Sequence, residues 1–168
     1  LTPPVVEDYR AIRISGKSSK QRKLLESKRN KLLELESALG NVAKYDSPDW
    51  KIAAIYRVGL LWDDLAGSLE DAPYPTDLPK EAELMLVYEE QVADIVARFR
   101  DKARGLWSQG VKVAKQSGVC NEWSAKTLVA LRKFPEERLR FPVARAVMVE
   151  RSSMWDGLFR ERKVEAPM

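Results

Sequence analysis

Carboxylates are the side chains of this sequence whose type and spacing come nearest to chemistry. They fall in close groups within one stretch of the chain, at Asp63, Asp64, Glu81, Glu83, Glu89 and Glu90. Such groups could transfer protons or hold a divalent cation. Adjacent acids on a helix point in different directions, however, and no Asp-rich loop with a glycine resembles a calcium-binding loop. The sequence therefore predicts neither a catalytic residue nor a metal site.

The supply of other reactive side chains is also small. Histidine is absent from the 168 residues, which excludes Ser-His-Asp and Cys-His nucleophiles and histidine-ligated zinc or haem. Cys120 is the single cysteine, so we expect no internal disulfide and no cysteine zinc site, and we interpret it as a buried structural thiol. The "SGKSS" stretch lacks the glycine and the strand that precede a phosphate-binding Gly-Lys-Ser. The chain is therefore predicted to be a non-enzyme without a cofactor.

Heptad spacing predicts a first long helix over 19–45. Its apolar stripe is Leu25, Leu32, Leu35, Leu39 and Val42. This spacing is typical of helices that pack nearly antiparallel. The preceding residues 1–17 are expected to be partly extended and anchored by Tyr9 and Ile12, with "SGKSS" supplying the turn and the N-cap.

A second helix is predicted to start at Pro48 behind the N-cap Ser47. Its stripe is Ile52, Ile55, Gly59, Trp62, Ala66 and Leu69. A glycine inside a helix costs roughly 1 kcal/mol relative to alanine. We therefore interpret Gly59 and Ala66 as the place where a neighbouring helix approaches closely, with Trp62 filling the groove between them.

A long third helix is predicted from Lys80 to Gln116, after three prolines that end the second. Its stripe is Met85, Tyr88, Val92, Ile95, Phe99, Leu106 and Val113. Gly118 is expected to terminate it, and Asn121 to cap a short helix through Leu131. No stretch alternates as a strand would. The predicted fold is all-α: antiparallel helical hairpins over 1–135 that include one long helix, followed by a basic helical extension over 136–168.

Four segments of the chain together resemble a known family. In order they are "YRAIRISG" (9–16), "WKIAAIYRVGLLWDDLA" (50–66), "APYPTDLPKEAE" (72–83) and "GVCNEWSAKTLVAL" (118–131). They are similar to the C-terminal portion of large envelope-associated tetratricopeptide-repeat proteins of myxobacteria and related delta-type bacteria, some of them part of gliding-motility machinery. The resemblance covers residues from about 5 to 135.

The resemblance implies a tetratricopeptide-like α-solenoid segment with further repeats upstream of Leu1. Aligning Pro135 with the final proline of a 34-residue repeat puts Trp107 and Ala130 at an aromatic and a small position, while Val111 and Ala114 depart from the pattern. The resemblance also implies a scaffold that binds other proteins of an envelope complex. The implied location is periplasmic or envelope-associated, and the cytoplasm is the alternative.

Charge is distributed unevenly, although the formal net charge is only +4. Residues 10–31 carry nine basic side chains and one acid, whereas residues 63–94 carry ten acids and one lysine. One interpretation is that the two stretches attract each other when the helices pack. The other is that 10–31 forms a basic stripe that docks an acidic protein, nucleic acid or an anionic membrane.

Partner binding is assigned to a small set of basic and aromatic residues. It comprises Arg22, Arg29, Tyr56, Trp62, Tyr88, Trp107, Trp155 and Phe159. The arginines would steer a partner segment, and one or two of the aromatics would anchor it while the rest form core. Trp155 and Phe159 either dock back on the hairpins or anchor a partner. The predicted function is a non-catalytic protein-interaction scaffold.

Two other functions stay open from the sequence. The basic stripe 10–31 could bind anionic membrane or, less expected, nucleic acid, with an affinity that falls steeply as salt rises. Alternatively, the heptad faces of the long helices could form a homo-oligomer.

Overall fold

The computed structural model describes residues 3–134, and every regular element in that range is an α-helix. This confirms the all-α fold class. The helices are α1 (Pro3–Ala11), α2 (Ser18–Val42), α3 (Pro48–Glu70), α4 (Ala82–Ser117) and α5 (Glu122–Leu131). Trp155, Phe159 and the predicted extension 136–168 lie outside the described residues.

Several helix ends follow the predicted local chemistry. α3 starts at Pro48 behind Ser47, and α4 ends at Gly118, which adopts a left-handed conformation with φ 65°. Asn121 caps α5 reciprocally: its Oδ1 accepts from the Ser124 backbone N–H at 2.9 Å, and the Asn121 N–H donates to Ser124 Oγ at 3.0 Å. These reciprocal bonds satisfy amides that would otherwise lack partners at the start of α5.

The N-terminal segment differs from the expectation of a partly extended chain. It forms α1, whose first residues are Pro3 and Pro4; proline is tolerated there because the first turn of a helix needs no intrahelical N–H donor. Tyr9 is the anchor that was predicted, since it is fully buried and its hydroxyl donates to the Leu61 carbonyl at 2.8 Å. Its burial, with Asp64 nearby, raises the pKa of the Tyr9 phenol.

The start of α2 is not capped by the local serines, contrary to prediction. The N-cap position is Lys17, whose side chain makes no capping bond. Asp77, from the α3–α4 loop, accepts instead from the Ser18 backbone N–H at 2.7 Å and from the Ser18 hydroxyl at 2.8 Å. These hydrogen bonds hold the pKa of the Asp77 carboxyl below its usual value. The far end of α2 also differs, because it stops at Val42 and leaves Tyr45 exposed.

Helix α3 is central and packs on α2, α4 and α5. All six residues of its predicted stripe are buried, as are Leu32, Leu35 and Leu39 of α2. The pairing is antiparallel on both sides: the start of α2 meets the end of α3, and the Glu70–Arg100 pair joins the end of α3 to the middle of α4. The predicted antiparallel hairpins are therefore present.

Gly59 allows a close helix approach, but the tryptophan involved is not the predicted one. A Cβ added at Gly59 would lie 2.7 Å from Cε2 of Trp107 and closer still to its Nε1. Trp107 of α4 thus occupies the space, and its Nε1 donates to the Tyr56 carbonyl at 3.3 Å. Gly110 plays a matching part, since a Cβ there would lie 2.9 Å from Thr127 Cγ2 and 3.3 Å from Ile55 Cγ2. α3, α4 and α5 meet at this point.

The buried line of α4 is shifted from the predicted heptad. The buried residues are Val96, Ala103, Trp107, Gly110 and Ala114, whereas the predicted Leu106 and Val113 are only half-buried. Small residues line the contact because the helices must approach closely enough to seat Trp107 on Gly59. Larger side chains then flank that contact on both sides.

Helix lengths bear on the predicted repeat. α5 packs on both α4 and α3, as stacked hairpins do. α4 alone has 36 residues, so a 34-residue unit ending at Pro135 would begin inside it.

Among the described helices, none is long and apolar enough to cross a membrane.

Candidate functional site

The acidic residues considered as candidates for proton transfer or cation binding do not lie together in the structure. Asp64 pairs with Lys28 at 3.3 Å, and Glu89 accepts a hydrogen bond from the Tyr74 hydroxyl. Within residues 3–134, no three acidic or cysteine side chains are grouped as a metal ion would need. Cys120 is exposed, not buried as predicted, because it lies in the loop between Gly118 and the Asn121 cap.

Lys28 makes the one arrangement that superficially resembles a catalytic pair. Its side chain is 3% exposed, and its Nζ donates to Ser68 Oγ at 2.7 Å and lies 4.7 Å from the centre of the Tyr9 ring. A serine hydroxyl beside a buried lysine is the geometry of a Ser–Lys nucleophile. Here the Lys28 Nζ is engaged by Asp64 at 3.3 Å and is the hydrogen-bond donor to the Ser68 hydroxyl, whereas a base would have to accept from that hydroxyl. The cluster therefore acts as a clip that joins α1, α2 and α3.

A cleft of about 410 Å³ borders this clip. Its walls come from the α1–α2 connection and the last turns of α3, and they include Arg13, Ser15, Asp64, Ser68 and Asp71. Two carboxylates beside one arginine give it no single sign of charge. It offers no convergent set of groups for a particular ligand.

The predicted basic stripe 10–31 is not a continuous surface. Arg22 and Arg29 are exposed as predicted, but Lys28, between them in sequence, is buried against Asp64. Lys31 pairs with Glu34 at 3.7 Å, and Glu26 is exposed on the same helix. The stripe therefore contributes to the interior of the fold as well as to its surface.

Two predicted anchors, Trp62 and Trp107, are core residues instead. Trp107 is fully buried at the α3–α4 contact. Trp62 packs on Phe99 with ring centres 5.7 Å apart, and the Lys102 ammonium lies 4.9 Å from the Trp62 ring centre. Among the described residues, none provides a hydrogen-bond acceptor for the buried Trp62 Nε1. Neither side chain presents a surface that a partner could touch.

Tyr88 is half-buried at the start of α4. Its hydroxyl donates to Gln21 Oε1 at 3.4 Å, and its ring centre lies 5.8 Å from that of Tyr74. Burial raises the pKa of the Tyr88 phenol. Tyr88 thus ties α4 to the start of α2.

Tyr56 belongs to a cluster of aromatic rings and cations that α3 and α5 build together. Its ring centre lies 6.1 Å from that of the half-buried Trp123. Arg57 and Lys126 lie over the Trp123 ring, at 5.1 Å and 4.9 Å from its centre. Cations held over an indole are attracted by its negative faces, so the rings and the positive charges are fixed side by side.

Next to this cluster, two large aromatics stand out in solvent. Tyr45 is 71% exposed in the α2–α3 turn, and Trp50 is 58% exposed in the first turn of α3. A cleft of about 560 Å³ opens here, lined by Lys44, Tyr45, Lys51 and the last turn of α4, among others. Trp50 lies on the same face of α3 as Arg57, two turns earlier. Asn121 donates to Asp49 and so fixes the start of α5 beside the start of α3.

We call this region the turn end and define it by the following residues: Lys44, Tyr45, Trp50, Lys51, Tyr56, Arg57, Trp123 and Lys126. Tyr56 is the predicted partner-binding residue that lies within it. The exposure of Trp50 could have been predicted from the sequence, because helical spacing puts it opposite Ile52, outside the apolar stripe. The exposure of Tyr45 in a turn could not, since the predicted first helix included this residue.

No protein-family model matches the chain. No curated protein sequence and no solved structure matches it either.

Proposed function

We propose that the chain is a non-catalytic protein-interaction domain whose turn end binds an acidic segment of a partner protein. The observation that carries this proposal is the exposure of Tyr45, in the α2–α3 turn, and of Trp50, in the first turn of α3, at the end of the fold where Lys44 and Lys51 line a cleft with Tyr45. Large exposed aromatics are costly to leave in water, and Trp, Tyr and Arg supply most of the binding energy at protein interfaces.

The energetics favour an interface at this position. Burying half of a Trp or Tyr side chain removes about 100 Å² of apolar surface from water, which contributes about 2.5 kcal/mol. Helices α3, α4 and α5 hold the backbone of the turn end in place, so little order must be gained on binding.

The charges of the turn end favour an acidic partner. Lys44 and Lys51 line the cleft and Arg57 lies over the Trp123 ring, whereas Lys126 of the same cluster already pairs with Glu122. Asp46 is the acid of the cleft and would repel a carboxylate from that one position, which helps to set the register of the bound segment.

The family resemblance supports a more specific version of this proposal. A tetratricopeptide-like segment would act as a scaffold within a periplasmic or envelope-associated complex, which could be a gliding-motility complex. Its partners would then be other envelope proteins. A cytoplasmic complex remains the alternative location.

The rival proposal is electrostatic binding of nucleic acid or anionic membrane. Arg22 and Arg29 are exposed on α2 and favour it, and aromatics interleaved with cations at the turn end suit single-stranded nucleic acid. Two residues between the arginines count against a continuous basic surface: Lys28, which is buried against Asp64, and the acid Glu26.

Affinity capture from extracts of the source cell separates these proposals. The full chain, a Tyr45→Ala/Trp50→Ala variant and a Leu33→Ala control, which alters an exposed leucine of α2, are compared with and without nuclease, at low and high salt. We expect a protein that the wild type and the control retain at high salt and that the double variant loses. Retention of nucleic acid or lipid alone, released by salt, would overturn the proposal.

A further inference from the structure

At the opposite end of the α3–α4 hairpin, α4 projects past its neighbour. Glu70, the last residue of α3, pairs with Arg100, so the first part of α4 extends beyond that pair. We call residues 82–95 the α4 arm. Val92 and Ile95 pack on the core with Ile14, and Tyr88 bonds to Gln21. The inner side of the arm is therefore covered by the rest of the fold.

The outer side of the α4 arm carries apolar side chains in solvent. Leu86 is 56% exposed and Val87 45%, and Leu84, one turn before Val87 at the flank of this side, is 41% exposed. Among the described residues this is the densest run of exposed aliphatic side chains. A surface helix normally shows polar residues on its outer side, so this arrangement calls for a partner.

Carboxylates are interleaved with these apolar side chains. Glu83 lies four residues before Val87, and Glu90 lies three after Val87 and four after Leu86, so they are neighbours on the helix surface. Across residues 71–97 there are seven acids and one cation, Lys80. Two such arms placed against each other would bring like charges together, which disfavours self-pairing and favours a basic occupant.

We propose that the outer side of the α4 arm binds a basic amphipathic helix of a partner protein. The leucines of that helix would pack on Leu86 and Val87, and its Lys and Arg side chains would pair with Glu83 and Glu90. This is helix-to-helix recognition through anchors at helical spacing. The α4 arm is a second docking surface, separate from the turn end and opposite to it in charge.

A designed peptide tests the proposal without knowledge of the natural partner. The probe is a Leu/Lys peptide of about 18 residues with leucines at i, i+3, i+4 and i+7, and its control is a scrambled peptide of equal composition. Binding to the full chain is measured by calorimetry for the wild type, for Leu86→Ser/Val87→Ser, for Glu83→Lys/Glu90→Lys, and for Leu33→Ser, which alters an exposed leucine of α2, as a surface control. Circular dichroism verifies that each variant is folded.

We expect saturable one-to-one binding of the patterned peptide, about tenfold weaker in each α4-arm variant and unchanged in the α2 control. Equal binding of the scrambled peptide would reduce the effect to charge alone and overturn the proposal, as would no binding. Self-association of the wild type in sedimentation, lost in the α4-arm variants, would also overturn it by assigning the surface to a second copy. Tyr45→Ala/Trp50→Ala should not affect the peptide, which separates failure here from failure at the turn end.

Discussion

Lys28 shows how a single residue changes the meaning of a charge pattern. In the sequence it is one of the nine basic residues of 10–31, yet in the fold it is buried and held by Asp64, Ser68 and the Tyr9 ring. The two partners of the ion pair are unequally exposed, at 3% for the lysine side chain and 40% for the aspartate. Removing the lysine and removing the aspartate should therefore destabilise the fold by different amounts.

We predict that Asp64→Ala destabilises the fold more than Lys28→Met. The first leaves a buried cation without its carboxylate, at about 2–3 kcal/mol. The second leaves a carboxylate that water can reach, at about 1 kcal/mol or less. Urea unfolding measures the free energy of unfolding of both variants. Equal losses, or a larger loss for Lys28→Met, would contradict the role of this cluster as a clip.

Gly59 gives a prediction with an internal control. Gly59→Ala places a methyl group against the buried Trp107 ring, which cannot shift cheaply, so we expect a loss of about 1–3 kcal/mol despite the better helix propensity of alanine. Gly67 lies on the same helix, and a Cβ there meets nothing within 4 Å. Gly67→Ala should stabilise by about 0.5–1 kcal/mol. Thermal unfolding measures both stability changes, and a change of the same sign in the two variants would contradict the close packing on Trp107.

Asp77 predicts a pH dependence. The hydrogen bonds from Ser18 lower the pKa of Asp77 in the folded state, so its contribution to stability is present above the usual aspartate value of 3.8 and is lost as pH falls below it. Asp77→Ala should therefore be less stable than wild type at pH 6, with the difference shrinking towards pH 2. Urea unfolding across this range measures it, and a difference independent of pH would contradict the cap.

At the scale of helices, hydrophobic periodicity predicted the buried face of a helix correctly where large apolar residues form that face. The stripe of α3 was correct at all six positions because α3 is central and each turn meets a neighbour. The buried line of α4 was shifted because three of its five buried residues are alanine or glycine, and a pattern of large residues cannot reveal a contact made by small ones. The Asp77 cap of α2 could not be predicted, since its two partners are 59 residues apart.

The short helix α5 depends on its cap. Asn121→Ala removes the acceptor for the Ser124 N–H and the contact with Asp49, so we expect a loss of about 1 kcal/mol. Cys120→Ala alters the exposed neighbour and should be close to neutral. Chemical unfolding followed by tryptophan fluorescence compares the two, and equal effects would contradict the role of the cap.

At the scale of the molecule, the charge asymmetry of the sequence becomes an asymmetry of surfaces. The turn end joins cations to Tyr45 and Trp50, and the α4 arm joins carboxylates to Leu86 and Val87. The described residues predicted for partner binding are divided among different places: Tyr56 lies at the turn end, Arg22 and Arg29 are exposed on α2, Tyr88 is half-buried between α4 and α2, and Trp62 and Trp107 are core. Residue type alone could not separate an exposed tryptophan from a buried one, because that depends on which side of each helix its neighbours cover.

Site-specific photocrosslinking from position 50 tests the central claim most directly. A photoreactive phenylalanine analogue replaces Trp50 in the full chain within the source cell, and the same analogue at Leu33 serves as control. We predict a crosslink from position 50 to one protein, mapped to an acidic segment, and none of comparable yield from position 33. A crosslink to nucleic acid, or equal labelling from both positions, would contradict the assignment of the turn end as a protein-binding surface.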